Sequence, residues 1–154
     1  MALHVEHRRT CLAFSPGGHH AELMRALDGI RFTDCFHVTF ASQRPDDPLA
    51  RRTYRLCHPR RVPGRTLVNV LQSLWVIVHE RPRLVISSGA DVAVAVVAFG
   101  RLLGARTIFV ESAGSLEPTL AGRLAYPFAD LFIVQWPEAL RRFPRAVLAD
   151  GPLL

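Results

Sequence analysis

Lysine is absent from the sequence: all 19 basic residues are arginine. A phosphate-cradling loop ending in Gly-Lys-Ser or Gly-Lys-Thr is therefore excluded, and kinase or nucleotide-hydrolase chemistry built on that loop is not expected. The Gly-x-Gly-x-x-Gly turn of a dinucleotide site is missing too. Its place after the first strand reads "SPGGHH" (Ser15 to His20), and the second strand ends "FAS" where an acidic residue should hold the ribose, so both marks of a nicotinamide enzyme fail. Cysteine is scarce. Cys11, Cys35 and Cys57 are odd in number and far apart, which suggests neither a disulfide framework nor a zinc pattern but buried thiols in a reducing cytoplasm. No run reaches the roughly 20 apolar residues of a bilayer crossing. The opening "MALHVEHRRT" has no apolar h-region, so no secretory signal is expected. Internal repeats and low-complexity linkers are also lacking.

What is present is the composition of a folded chain. At 154 residues, 49% hydrophobic and 21% charged, residues 1–154 are expected to form one domain with a substantial core. The formal charge of +6 needs a partner or a reason, and nucleic acid, anionic lipid and phosphorylated substrates are all compatible with it. Arginine suits paired contacts to phosphate or carboxylate. A GC-rich genome accounts for the replacement of lysine by arginine without any functional cause.

Short β-rich runs alternate with longer helical patterns. Strands are predicted at "CLAFS" near Cys11, "CFHVTFAS" near Cys35, "TYRLC" near Thr53, "RLVISS" near Arg83, "RTIFVES" near Arg106, "DLFIVQW" near Asp130 and "AVLA" near Ala146. Helices are predicted over His19 to Leu27, Leu67 to His79, Val92 to Leu103 and Thr119 to Ala125, with a short one after Pro137. Such alternation specifies an α/β fold, a doubly wound, mostly parallel, Rossmann-like sheet with helices on both faces. The continuous apolar runs "LVIS" and "LFIV" read as central strands buried on both sides. Ligands of such sheets gather outside the carboxyl ends of the strands. Three polar segments stand there: "SPGGHHAEL" after the first strand, "SSGAD" (Ser87 to Asp91) after the fourth and "ESAGS" (Glu111 to Ser115) after the fifth. If those strands are neighbours, the three segments line one crevice.

The residue types in these segments suit an anion or a sugar. Gly17 and Gly18 allow a tight turn and a close backbone approach, and a helix opening near His19 aims unpaired N–H groups at the same place. His19 and His20 can act as a general base or as phosphate donors, or can simply be solvated. Glu111, ending a strongly apolar strand, reads as a base or a sugar-hydroxyl acceptor, or as a cap of the next loop. Asp91 is expected to cap the helix that follows it, and Glu22, three residues past His19, to reach back to the turn as in a capping box. Six arginines between Arg51 and Arg65 precede the apolar "LVNVLQSLWVIV" (Leu67 to Val78). That is a basic rim beside an apolar surface, suited to an anionic membrane face or a lipid-linked pyrophosphate. Being apolar nearly all round, the helix is expected to be mostly buried, with only its first turn free to touch lipid.

Over almost its whole length the sequence resembles the oligosaccharide-biosynthesis family of split glycosyltransferases. The resemblance rests on "SPGGHHAELMRAL", on "VISSGADVAVAVVAFGRLLGARTIFVES" and above all on "AGRLAYPFADLFIVQWPEALRRFPRAV". The family includes the acceptor-side, membrane-anchoring subunit of the two-chain UDP-N-acetylglucosamine transferase of dolichol-linked oligosaccharide synthesis, and bacterial relatives in exopolysaccharide assembly. The resemblance implies the N-terminal half of a GT-B glycosyltransferase, which holds a polyprenyl-pyrophosphate-linked acceptor while a second subunit holds the UDP-sugar. It maps the family's turn onto Gly17, Gly18 and His19, its second loop onto Ser88 and Gly89, and its acidic loop onto Glu111 and Ser112. His19 and Glu111 are the candidate catalytic residues. Gly17, Gly18, His20, Glu22, Ser88, Gly89, Asp91 and Ser112 are the candidate acceptor and phosphate contacts. No metal, cofactor or nucleic-acid partner is expected. Eukaryotic members begin with a membrane helix that this sequence does not show, so peripheral attachment to the cytoplasmic face of the membrane is expected. The apolar "GPLL" at Gly151 to Leu154 reads as a partner contact. Many members carry an arginine after the Glu-Ser pair, where this chain has "AGSLEP" (Ala113 to Pro118), so that contact does not transfer. Two other readings stand beside this one: a non-catalytic scaffold that recruits the catalytic partner to the membrane, and an arginine-driven anion or nucleic-acid binder. The second lacks the interleaved aromatics of such surfaces.

Overall fold

The alternation read from the sequence becomes one parallel sheet. In this computed structural model, which describes residues 3–43, 46–48 and 50–151, the chain opens with β1 (His4–Glu6), β2 (Thr10–Ala13), α1 (Gly18–Ala26), β3 (Ile30–Phe32), β4 (Cys35–Phe40) and β5 (Thr53–Leu56). It continues through α2 (Pro63–Glu80), β6 (Leu84–Ser87), α3 (Asp91–Leu102), β7 (Arg106–Val110), α4 (Leu120–Ala125), β8 (Leu131–Val134) and β9 (Val147–Leu148). Seven strands pair in the order β5-β4-β2-β6-β7-β8-β9, every pair parallel. The chain starts in the middle at β2, runs out to β5, and returns through α2 to lay β6 on the other side of β2. The order therefore reverses between β2 and β6, and the crevice outside their carboxyl ends is the switch point of the sheet. β1 and β3 form a separate two-stranded sheet that the hydrophobic pattern did not announce. Pro152, Leu153 and Leu154, most of the "GPLL" segment, lie outside the described residues.

Side chains alternate across the strands as the pleat requires. Cys11, Ala13, Val85 and Phe109 pack with Val76, Val96 and Ala121 from α2, α3 and α4. Leu12, Phe14, Leu84 and Ile86 pack on the opposite face with Leu23 of α1. Helices cover both faces, but unequally. "LVIS" is buried throughout, as expected, whereas "LFIV" is not: Leu131 is exposed and Ile133 half-buried. The reason is position, because β8 has only the two-residue β9 beyond it.

The expectation for α2 is corrected more sharply. Pro63 sits in its first turn, where a missing N–H costs nothing, so the helix begins a turn earlier than the apolar run suggests. Its buried stripe is partly polar, comprising Asn69, Ser73 and Glu80 with Val76 and Ile77. Leu67, Leu71, Leu74, Trp75 and Val78 are exposed, Trp75 to 57%. Asn69 and Glu80 are inward because their partners are there, Asn69 Nδ2 donating to the Cys57 carbonyl at 3.0 Å, while the Ser73 hydroxyl is buried with no hydrogen-bond partner among the described residues. Arg51 Nη2 donates to Glu80 Oε2 at 2.8 Å, the Tyr54 hydroxyl to Glu80 Oε1 at 2.5 Å, and Arg52 Nη1 lies 3.5 Å from Oε1. Arg9 Nη1 donates to the Glu80 carbonyl at 3.0 Å, so the end of α2 is tied to the amino ends of β2 and β5.

Candidate active site

Three loops leave the carboxyl ends of the adjacent strands β2, β6 and β7 and meet. In the first, Gly17 has φ 109° and ψ −130°, a conformation that residues with a side chain rarely adopt. It turns the chain into α1 with nothing within 4 Å of where a Cβ on Gly17 or Gly18 would stand, so the first turn of the helix presents its backbone to open space. His19, in that first turn, places Nδ1 2.9 Å from the carbonyl oxygen of Ser88 in the second loop, and Ser88 Oγ donates back to the His19 carbonyl at 2.6 Å. A carbonyl oxygen only accepts, so Nδ1 carries a proton, and in the neutral ring the lone pair is left on Nε2. The imidazole is about one-third exposed, and the Gly89 backbone lies against it, a Cβ there falling 3.4 Å from His19 Cε1.

Glu22 joins the first loop to the third. Its Oε1 accepts from Ser112 Oγ at 3.1 Å and from the Ala113 N–H at 3.2 Å, and its Oε2 stands 3.6 Å from His19 Nδ1. The expected capping box is therefore corrected. The cap position is Gly17, which offers no side chain, and the Glu22 carboxylate is drawn away from the turn by the two donors of the third loop. Asp91 is likewise not a cap. Ala90, at φ 76°, holds that position without a side-chain bond, and Asp91 is the first helical residue, its charge set against the positive end of α3.

Glu111 lies deeper than its sequence position suggests. It is 4% exposed, packed under the first turn of α4, with Oε1 accepting from the Thr119 N–H at 3.4 Å and Oε2 buried without a hydrogen-bond partner. Burial pushes its carboxyl above the ordinary value, against the opposing pull of the Thr119 and Ser112 bonds and of nearby His19. Gly122 is required for this packing, since a Cβ there would fall 1.6 Å from Oε2.

The structure thus brings Gly17, Gly18, His19, Glu22, Ser88, Gly89 and Ser112 together, sets Glu111 behind them, and separates the other two candidates, His20 and Asp91. His20 faces away from Ser88, its ring 4.7 Å from Phe14 and its Nε2 3.8 Å from Asp47 Oδ2. Asp91 borders a groove between α2 and α3. Trp136 escaped attention in the sequence, where it sat unassigned in "QWPE"; its Nε1 donates to the Ala113 carbonyl at 2.9 Å and so steadies the third loop. Gln135 is buried at the carboxyl end of β8 with neither amide atom bonded. Among the described residues no group of three or more His, Cys, Asp or Glu side chains is placed to hold a metal ion.

The fold is Rossmann-like and matches about half of each of two solved enzyme structures. MurG from Acinetobacter baumannii superposes with a TM-score of 0.66 at 18% identity, covering 94% of this chain and 45% of that one. UDP-N-acetylglucosamine 2-epimerase from Rickettsia bellii superposes at 0.72 with 10% identity, covering 95% and 45%. The chain belongs to the family described as "Oligosaccharide biosynthesis protein Alg14 like", which it matches over residues 62–151. It is 41% identical over 75 residues to the UDP-N-acetylglucosamine transferase subunit ALG14 of Eremothecium gossypii, covering 44% of this chain and 34% of that protein. To the human ALG14 subunit it is 30% identical over 93 residues, covering 53% and 43%. It is also 33% identical over 82 residues to the UDP-N-acetylglucosamine–N-acetylmuramyl-(pentapeptide) pyrophosphoryl-undecaprenol N-acetylglucosamine transferase of Oceanobacillus iheyensis, covering 53% and 22%. The aligned regions span less than half the length of each of these relatives.

Proposed function

We propose that the chain is the acceptor-side part of a bacterial glycosyltransferase that works with a second, UDP-sugar-binding unit in polysaccharide or lipid-linked oligosaccharide synthesis. The observation that carries this reading is His19, whose Nδ1 is held 2.9 Å from the Ser88 carbonyl at the switch point of the sheet, with Nε2 as its other ring nitrogen. In the proposed reaction the acceptor hydroxyl oxygen attacks the anomeric carbon of the UDP-sugar. The bond from that carbon to the diphosphate breaks, its electron pair leaving on UDP, and His19 Nε2 takes the hydroxyl proton. The backbone N–H groups at the start of α1 bind the acceptor pyrophosphate or the developing charge. Ser88, Gly89, Glu22 and Ser112 shape the acceptor wall. Glu111 acts from behind His19, since its burial keeps it from the acceptor. Support for a second unit comes from the relatives named as transferase subunits, and for a lipid-linked acceptor from the relative whose name specifies a pyrophosphoryl-undecaprenol substrate.

Attachment to the inner face of the membrane is part of the proposal. No helix of the described residues is long and apolar enough to cross a bilayer, but the exposed side of α2 carries Leu71, Leu74, Trp75 and Val78 beside Arg60, Arg61 and Arg65. A helix of this kind lies in the interface plane, with basic neighbours adding about 1 kcal/mol each on anionic lipid.

The test is co-expression with candidate UDP-sugar-binding partners and assay on lipid-linked acceptors. His19→Ala is expected to lower turnover of the complex by a factor of about 10² to 10⁴ with partner binding intact. Full turnover in His19→Ala and in Glu111→Gln, with the partner still bound, would instead establish the scaffold reading. Steeply salt-dependent binding to DNA would favour the nucleic-acid reading.

A further inference from the structure

Between α2, α3 and α4 runs a groove of about 800 Å³, within the range of ligand pockets. Its walls are hydrocarbon, formed mainly by Val70 of α2, Val94, Ala95, Ala98 and Phe99 of α3, and Leu124 of α4. Two polar residues on its border spend their hydrogen bonds on the backbone: Asn69 Nδ2 donates to the Cys57 carbonyl and Thr66 Oγ1 to the Val62 carbonyl, each at 3.0 Å. The groove reaches Asp91, two peptide units from the Gly89 that lies against His19, so its border comes within about 7.6 Å of the second loop measured between Cα atoms. It is also lined by Leu67, which is 60% exposed and belongs to the same outward side of α2 as Leu71, Leu74 and Trp75. Arg61 stands on its rim, with Arg60 and Arg65 exposed nearby.

We infer that this groove holds the first isoprene units of the acceptor's lipid tail and guides the tail from the crevice to the bilayer. The inference rests on the lipid-linked acceptor proposed above and names where its hydrocarbon lies. A branched hydrocarbon fits because it asks nothing of the walls, whereas an extended peptide there would leave its N–H and C=O groups unpaired against apolar side chains. The charge distribution agrees. The arginines gather at the mouth, where a pyrophosphate or an anionic headgroup stands, and the interior beyond them is apolar. An apolar channel open to water is also a surface that soluble proteins seldom leave uncovered, and one continuous with a lipid-facing helix is filled by lipid.

Two measurements test this. The unaltered protein is irradiated with an isoprenoid pyrophosphate carrying a photoreactive group on its first units, and the labelled residues are mapped. Label on residues 94–99 or on Leu124 is expected; label confined to other surfaces overturns the inference. In the complex with its partner, Ala95→Phe and Ala98→Phe, which narrow the groove, are then assayed with two acceptors sharing one sugar-pyrophosphate head, one bearing an isoprenoid tail and one a methyl group in its place. KM for the isoprenoid acceptor is expected to rise about tenfold, with kcat and the methyl-bearing substrate unchanged. Equal behaviour towards both acceptors, or protection of the groove by a bound partner protein, assigns it another role. Failure of the unaltered complex to transfer sugar to any lipid-linked head would count against the proposed function, whereas the photolabelling still reports on the groove itself.

Discussion

The two ends of the sheet each bury a glutamate, and they treat it in opposite ways. At the amino end Glu80 is surrounded by donors from Arg51, Arg52 and Tyr54, with Arg9 at 3.8 Å, so its charge is matched where it lies. At the carboxyl end Glu111 accepts a long bond from the Thr119 N–H, its Oε2 has no hydrogen-bond partner among the described residues, and burial holds its proton more tightly than usual against the pull of the Thr119 and Ser112 bonds. A buried carboxylate with several cationic partners locks elements together. One left short of partners holds free energy that a ligand or a neighbouring charge can release. The contrast places the stabilising charge and the chemically poised charge at opposite ends of the same strands.

The largest test of this contrast is Glu80→Gln, which leaves three arginines facing a neutral amide. Because those guanidiniums still reach water, the expected cost is about 3 kcal/mol, the low end for a broken buried pair, read as a lower urea midpoint with unchanged slope. A loss below ~0.5 kcal/mol would show that the cluster is only a surface network. Glu111→Gln has the opposite sign. Burial raises the folded-state pKa above that of the unfolded chain, so the contribution of the bound proton is complete below the ordinary carboxylate range and fades as pH rises. As pH rises from the ordinary carboxylate range through the raised folded-state value, the unaltered chain should therefore lose stability from this group while the Gln variant stays level. Identical pH profiles for the two chains would remove Glu111 from the comparison. The smallest effect concerns thiols. Cys11 is buried and its thiol pushed far up by desolvation, Cys35 is buried and raised for the same first reason, and Cys57 is half-buried beyond β5. A thiol reagent should modify Cys57 in the native protein and reach Cys11 and Cys35 only on unfolding; early modification of Cys11 would mean that the middle of the sheet opens.

How much was legible in the sequence follows from the range of the forces involved. The seven strands of the main sheet and the convergence of "SPGGHHAEL", "SSGAD" and "ESAGS" were readable because hydrophobic runs and glycine turns are local signals. Helix α2 was misjudged because burial of Glu80 depends on Arg9, Arg51 and Tyr54, and that of Asn69 on the Cys57 carbonyl, none of them on the helix. The stripe at positions 69, 73, 76 and 80, polar at all but Val76, has helical spacing and could have been found, but spacing alone does not say which side faces inward. Glu22 was expected to bond locally and instead bonds across the crevice, to a loop ninety residues away. β1 and β3 are three residues each, too short for a period to register.

Glu22 also makes the crevice a single mechanical unit. One carboxylate takes the Ser112 hydroxyl and the Ala113 amide on one oxygen while its other oxygen borders the proton-bearing nitrogen of His19. A shift of the loop at 112–113 therefore displaces the oxygen that borders His19, so the first and third loops move as one body although ninety residues separate them.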